Sequence, residues 1–408
     1  MNRIVITCLA LGLWFSASAQ SASSEQSGSD NAAAAYRREM VKPQWESDGG
    51  YITLRGVPDG NYRVTVTVGN RKKAGVTTLR GESRRLFFEN VPTAKGEFKE
   101  LVFVINKRNT VIEGDRLVRI KQREQGKLNW DDNLTLEISG SAPQVEKIVV
   151  ERVEGVPTVF LCGDSTTVDQ DNEPWASWGQ MAPRFFDERI CFANYAESGE
   201  SSNSFIAERR LEKIMTQIKP GDWLLVQFGH NDEKQKGPDK GAYLHFYKSL
   251  KAFVEAARSA GAHPVLLTPT QRRNFGPDGK LVPTHGEFPD AVKAVGREMN
   301  VPVIDLTAMT TDLFEALGVE GSKRALVHYP ANTYPGQTQP LADNTHFNPY
   351  GAYQVAKCVI EGMKSHGLSL TEYLRSDYAG YDPASPDSFE SFVWTPSKVF
   401  EAEKPDGN

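Results

Sequence analysis

The sequence predicts an α/β chain: a parallel sheet covered by helices on both faces, preceded by a smaller all-β sandwich. Two rhythms carry the prediction. Between Tyr36 and Val150 apolar and polar residues alternate in short stretches split by turn residues, with no helix-period segment of convincing length. From Pro157 onward short continuous apolar runs alternate with helix-like stretches. That is the pattern of strands buried on both faces beneath crossover helices.

In the front half, Pro58-Asp59-Gly60 marks a turn. Tyr62, Val64, Val66 and Val68 then alternate with Arg63, Thr65 and Thr67, the period of a half-buried strand. Gly69-Asn70 closes that strand, and Leu134, Leu136 and Ile138 repeat the alternation. Several short strands divided by turns predict a β-sandwich. In the rear half, Val159-Phe160-Leu161 ends in Gly163, and further strands are expected at Ile190–Tyr195, Trp223–Phe228, Pro264–Leu267 and Val301–Leu306. Helices are expected at Phe205–Ile218, Ala242–Ala260, Pro289–Met299 and Pro349–Lys364. The final stretch, rich in Pro, Asp and aromatic residues, matches no element.

A chain of 408 residues, 39% hydrophobic and 24% charged, suits two soluble folded units. The expected division is a sandwich over 37–152, the α/β unit over 153–376 and an extension over 377–408. Arg3, the apolar run Ile4–Phe15 and the small residues Ala17-Ser18-Ala19 read as an export signal with its cleavage site. Residues 1–19 are therefore expected to be a signal peptide and 20–36 a polar linker, with the mature protein periplasmic or extracellular. No other run is apolar for long enough to span a membrane. The net charge of −5 argues against a nucleic-acid binder. Cys8 leaves with the signal. Cys162, Cys191 and Cys358 are odd in number, sit beside apolar residues and lack metal-ligand spacing. Buried free thiols are expected, with one disulfide left open.

Ligands of such sheets bind beyond the carboxyl ends of the strands, so the residues that follow each run matter most. After the first comes Gly163-Asp164-Ser165-Thr166, where a turn can expose a serine hydroxyl and offer a backbone N–H to an oxyanion. After the second comes Glu197-Ser198-Gly199-Glu200-Ser201-Ser202, whose small residues let backbone approach a ligand. After the third comes Gly229-His230-Asn231-Asp232, where Asn231 can donate to an oxyanion. Near the end, Asp343-Asn344-Thr345-His346 leads into Pro349, a residue suited to a helix start. A serine needs a base, His serves at neutral pH, and a carboxylate three residues earlier can orient its ring. Each segment alone also fits an ordinary turn or a solvated loop. Together they stand in the order that loops at one sheet edge require.

These four segments resemble the blocks of the SGNH/GDSL hydrolases, over Pro157 to about Gly367. The resemblance implies a flavodoxin-like three-layer α/β/α sandwich. It assigns catalysis to Ser165, Asp343 and His346 and the oxyanion hole to Ser165, Gly199 and Asn231, with no metal or organic cofactor. Gly-Asp-Ser-Thr, Trp178-Gly179-Gln180, the Gly229–Asp232 block and the Asp343–Phe347 block are similar to those of rhamnogalacturonan acetylesterases. The front half resembles galactose-binding-like sandwiches. One departure is the pair Glu197 and Glu200, which sets acidic charge beside Gly199 where an acidic polymer would have to pass.

The resemblance implies acyl transfer from an acetylated plant polysaccharide or oligosaccharide. Arg272 and Arg273, just past the strand expected at Pro264–Leu267, are expected to meet galacturonate carboxylates, or else to be solvated loop charges. Trp175 and Trp178 read as core rather than as sugar platforms. An acetylxylan or other O-acetyl esterase is the alternative within the same chemistry. An inactive carbohydrate-binding protein is the alternative from another class. Oligomeric state and the role of the extension are not legible.

Overall fold

The computed structural model describes residues 45–48 and 50–406, with side chains from residue 50 onward. The expected signal peptide and linker lie outside the described residues. The front strands are β1 (Trp45–Asp48), β2 (Tyr51–Leu54), β3 (Gly60–Gly69), β4 (Gly75–Gly81), β5 (Arg85–Thr93), β6 (Phe98–Lys107), β7 (Val111–Glu113), β8 (Arg116–Leu117), β9 (Leu134–Ala142) and β10 (Val145–Val153). The rear begins with β11 (Thr158–Gly163), α1 (Trp178–Met181), β12 (Cys191–Asn194), α2 (Ser202–Ala207), α3 (Arg210–Met215), β13 (Trp223–Gln227) and α4 (Tyr247–Ser259). It continues with β14 (His263–Leu267), α5 (Phe288–Met299), β15 (Val303–Ile304), α6 (Leu306–Gly321), β16 (Leu326–Tyr329), β17 (Leu341–Phe347) and α7 (Pro349–Ser365).

In the rear unit the parallel strands run in the order β12-β11-β13-β14-β15, which is the flavodoxin-like arrangement. Its strands are apolar throughout, yet the pleat still sorts their side chains by period two. Val159, Leu161, Leu225, Val265 and Leu267 join the core beneath α1, α6 and α7. Phe160, Cys162, Leu224, Val226 and Leu266 join the opposite core beneath α2 to α5. Three layers follow. Cys162, Cys191 and Cys358 are free and buried.

In the front unit one sheet has the order β1-β2-β9-β4-β5. Facing it are β10, β3 and β6, paired antiparallel. Val64, Val66, Val68, Phe103 and Ile105 on that side pack against Ile52, Leu54, Leu134 and Leu136 on the other, which makes a sandwich. This second sheet does not end at β6. It pairs with β12 at Ile105 and Phe192, so among the described residues one eight-stranded mixed sheet runs through both units.

Three expected elements differ. The helix expected at Phe205–Ile218 breaks into α2 and α3 at Arg209, whose φ is +67°. The break lets Arg210 enter a buried pair with Glu124 of the front unit, 2.5 Å apart. The strand expected at Val301–Leu306 shrinks to β15 because Asp305 caps α6, accepting from the Ala308 N–H at 3.2 Å. Asp343 and His346 lie on strand β17 rather than in a loop. The unplaced extension packs back over the molecule: Phe392 stacks on Trp394, whose ring Arg80 covers, and Glu173 pairs with Phe400 in a parallel bridge.

The two units are fastened by a buried ion pair. Asp169 Oδ2 accepts from Arg85 Nε at 3.0 Å and Nη2 at 2.8 Å, while its Oδ1 accepts from Asn194 Nδ2 at 2.8 Å. Removing one partner leaves an uncompensated buried charge. Asp169→Ala is therefore expected to lower unfolding stability by about 3–5 kcal/mol, read from urea denaturation midpoints against wild type.

Candidate active site

β11, β12 and β13 are neighbours, and the residues singled out in the sequence leave their carboxyl ends together. Ser165 lies in a turn after β11, closed by Thr167 and Val168 N–H groups donating to the Asp164 carbonyl at 3.0 Å each. Gly199 follows β12 and Asn231 follows β13. This is the point where strand order reverses, the place such sheets keep for ligands.

His346 and Asp343 arrive from β17. The His346 ring Nδ1 is 2.9 Å from Asp343 Oδ2. Asp343 Oδ1 also accepts the backbone N–H groups of Thr345 at 2.7 Å and His346 at 2.8 Å. Burial pushes the Asp343 carboxyl up, but these hydrogen bonds and the His346 charge outweigh it and hold it well below the usual carboxylate range. A carboxylate so held stays ionised and fixes the ring through Nδ1, which leaves Nε2 to act on a hydroxyl proton. Asn348 then caps α7 by accepting from the Gly351 N–H at 3.0 Å. Gly351 is needed there because a Cβ would collide with the Ala325 carbonyl.

Direct contacts tie these segments together. Trp175 packs edge-on to His346 with ring centroids 5.6 Å apart, and Ala176 donates to the Phe347 carbonyl at 2.9 Å. Gln170 Nε2 donates to the Ser165 carbonyl at 3.0 Å and reaches Ser198 Oγ at 3.4 Å. Asn231 Nδ2 donates to the Glu200 carbonyl at 2.9 Å. An Asn amide has two N–H donors, so one remains for an oxyanion. Gly199 has φ +76°, which an L side chain rarely adopts.

The acids beside Gly199 are both buried and both paired across the unit boundary. Arg123 Nη2 is 2.8 Å from Glu197 Oε1, and Lys121 Nζ is 2.6 Å from Glu200 Oε1. Burial pushes the Glu197 carboxyl up to about 7. The acidity that the sequence places beside Gly199 is thus met by bases from the front unit.

Four supporting residues were given no role in the sequence reading. Gln227, at the end of β13, accepts on Oε1 from Thr167 Oγ1 at 2.8 Å and Trp178 Nε1 at 2.5 Å, and its Nε2 donates to Thr166 Oγ1 at 2.8 Å. Gln170 bridges two segments as described. Asp164 accepts on Oδ1 from Thr166, and its Oδ2 lies 3.3 Å from His230 Nδ1. Asp232 takes the opposite course and binds the Ser202 N–H and hydroxyl at the start of α2. Burial pushes the Asp232 carboxyl up to about 7 against those hydrogen bonds. His230 and Asp232 therefore turn to different partners. Asp164 and Asp232 stood inside the quoted turn motifs, Gln227 ended an otherwise apolar strand, and Gln170 carried no local signal.

Trp175 and Trp178 are both buried. Arg272 and Arg273 are engaged within the protein. Arg272 Nη1 is 2.6 Å from Glu233 Oε1, and Glu233 Oε2 is 2.9 Å from His285 Nδ1. Arg273 Nε donates to Ser322 Oγ at 3.0 Å, and its guanidinium also reaches the Val319 carbonyl. Each brace steadies a segment of the site, the Gly229–Asp232 turn in one case and the approach to β17 in the other.

Burial pushes the His230 imidazole down to about 4, against the attraction of Asp164. The folded protein thus prefers His230 neutral, whereas the unfolded chain binds its proton near 6.5. Its contribution to stability is present above pH 6.5 and is lost as pH falls toward 4, with a slope of at most about 1.4 kcal/mol per pH unit. Unfolding stability measured across that window is expected to decline less steeply in His230→Gln than in wild type.

With this geometry in hand, the likeness to known proteins is specific. The sequence profile described as the GDSL-like lipase/acylhydrolase family matches residues 161–353. Rhamnogalacturonan acetylesterase RhgT of Bacillus subtilis (strain 168) is 46% identical over 220 residues, 53% of this chain and 94% of that protein. The probable rhamnogalacturonan acetylesterase YesY of the same organism is 36% identical over 220 residues, 52% of this chain and 95% of that protein. A crystal structure of Bacillus subtilis YxiM aligns with 22% identity over 78% of this chain and 81% of that chain, at a TM-score of 0.48. Matched along nearly the whole of such relatives, this chain belongs to the GDSL-like lipase/acylhydrolase family and is a carboxylic-ester hydrolase.

Proposed function

We propose that this hydrolase removes acetyl groups from rhamnogalacturonan through a Ser165 acyl-enzyme. The carrying observation is the buried Asp343–His346 pair, 2.9 Å between Oδ2 and Nδ1, at the sheet edge that also presents Ser165, Gly199 and Asn231. The named activity of the two Bacillus relatives supports the substrate. Export, as residues 1–19 lead one to expect, would bring the enzyme to its polymer.

In this reading His346 takes the Ser165 hydroxyl proton while Oγ attacks the acetyl carbonyl. Asp343 stabilises the imidazolium that forms. The oxyanion is met by the Ser165 and Gly199 N–H groups and by the remaining amide N–H of Asn231. His346 returns the proton to the departing sugar alcohol. Water, deprotonated by the same ring, then cleaves the acetyl ester of Ser165 and releases acetate. Arg272 and Arg273 serve here as braces of the loops, since their guanidiniums are held by Glu233 and by Ser322.

Released acetate measured with acetylated rhamnogalacturonan and, in parallel, acetylated xylan is the test. Wild type is expected to act mainly on the pectic polymer, and Ser165→Ala on neither. Asn231→Ala is expected to lose about 100-fold in kcat, and Asp343→Asn on the order of 10⁴. Equal traces of acetate from wild type and Ser165→Ala would remove the assignment.

A further inference from the structure

A cavity of about 780 Å³ opens beside the site, between the front unit, the Gln170–Trp175 segment and the end of the chain. Its walls reach the catalytic residues directly. Gln170, in the wall, holds the Ser165 carbonyl; Trp175 packs on His346; Ser198 precedes Gly199. The opposite wall comes from residues 123–128 of the front unit, a stretch outside the segment matched by the family profile. That stretch is firmly built: buried Glu124 binds Arg210 Nη1 at 2.9 Å and Nη2 at 2.5 Å and accepts from Trp130 Nε1 at 2.9 Å.

The wall carries Arg123 and Lys127. Arg123 Nη2 is held by Glu197 and the Ser198 carbonyl, while Nη1 faces the cavity and lies 3.1 Å from Asp406 Oδ2. Lys127 Nζ is 2.5 Å from Asp171 Oδ2 on the cavity rim. Asp406 belongs to the extension, which crosses the site within three residues. Lys404 Nζ is 3.3 Å from Asp343 Oδ2, and a Cβ placed on Gly199 would be 3.0 Å from Asp406 Cβ. So an acidic side chain of the protein itself sits where a ligand next to the oxyanion glycine would sit, with its carboxylate on Arg123.

We infer that Arg123 forms a carboxylate subsite beside Ser165, which takes a uronate residue neighbouring the acetylated sugar, and that Asp406 occupies it until substrate displaces the tail. The inference rests on the reading of Ser165 as the nucleophile for its place along the substrate, but the binding of the acid does not need the ester to be cleaved. The occupant in the structure is itself a carboxylate, and a guanidinium matches a carboxylate in geometry as well as charge. At that turn Lys121 and Arg123 offset the charges of Glu200 and Glu197. Since the subsite is made by the front unit, it gives that unit a role in choosing substrate.

The test is calorimetric binding of trigalacturonate, with xylotriose as the neutral control, to the full chain. Arg123→Gln is expected to weaken trigalacturonate binding at least about tenfold, the scale of one charged hydrogen bond. Asp406→Asn is expected to act in the opposite direction and tighten it about fivefold, because the internal competitor loses its charge. A loss of fold around Arg123 would not produce that gain. Xylotriose binding is expected to be the same in all three proteins. No binding of trigalacturonate, or equal affinity in wild type and Asp406→Asn, overturns the inference. Hydrolysis of 4-nitrophenyl acetate by wild type and Ser165→Ala, run alongside, reads the esterase assignment separately.

Discussion

The Asp169 carboxylate, buried between Arg85 of the front sandwich and Asn194 at the end of β12, is the interaction on which the rest of the molecule leans. One side chain holds three things in register: the segment that follows Ser165, the strand that launches the Gly199 turn, and the front unit. Asn194 passes the restraint on, donating to the Thr167 carbonyl at 2.7 Å and accepting from Arg108 through its own carbonyl. Charges so deeply buried stabilise little when complete and cost heavily when broken. Here they join the two units in the docking observed. The continuous sheet through β6 and β12 then makes that docking a matter of backbone as well as of side chains.

An esterase site must hold its oxyanion donors and its base still before the substrate arrives. The side chains proposed above for catalysis do little of that holding themselves. Gln227 pins the two threonines after Ser165, Gln170 links Ser165 to Ser198, and Asp232 ties the start of α2 to the turn that carries Asn231. Each is a buried amide or acid hydrogen-bonded to its neighbours in a dry setting, where such bonds are stiff and their loss is costly. Asp343, on a short antiparallel ladder with β16, holds the His346 ring itself. The cap at Asn348 and the close approach of Gly351 to Ala325 seat α7 behind it.

The front unit and the extension are joined to this site by charge. Lys121 and Arg123 neutralise Glu200 and Glu197, Lys404 meets Asp343, and Asp406 meets Arg123. RhgT and YesY match only about half of this chain. The neighbourhood of Ser165 in this protein therefore includes walls that its family segment alone does not supply.

Periodicity carried the sequence reading a long way. The strand over 60–69, the apolar runs of the parallel sheet and the last helix were legible because burial imposes its period on every residue of an element. Ser165, Gly199 and Asn231 stood out as small or polar residues just past those runs, and Asp343 and His346 stood out by their three-residue spacing ahead of Pro349. What stayed hidden depended on partners far along the chain. Arg210 breaks from a helical stretch to reach Glu124, and Arg272 and Arg273, expected to meet galacturonate carboxylates or to be solvated loop charges, lie against Glu233 and Ser322. The extension has no period of its own, and its place follows from contacts such as Trp394 with Arg80 and Tyr51 with Ser397. A local pattern records only whether a residue is buried and on which face. Which groups meet across hundreds of residues, and so which charges are satisfied and what lies over Ser165, is settled only when the two units close on each other and water leaves the space between them.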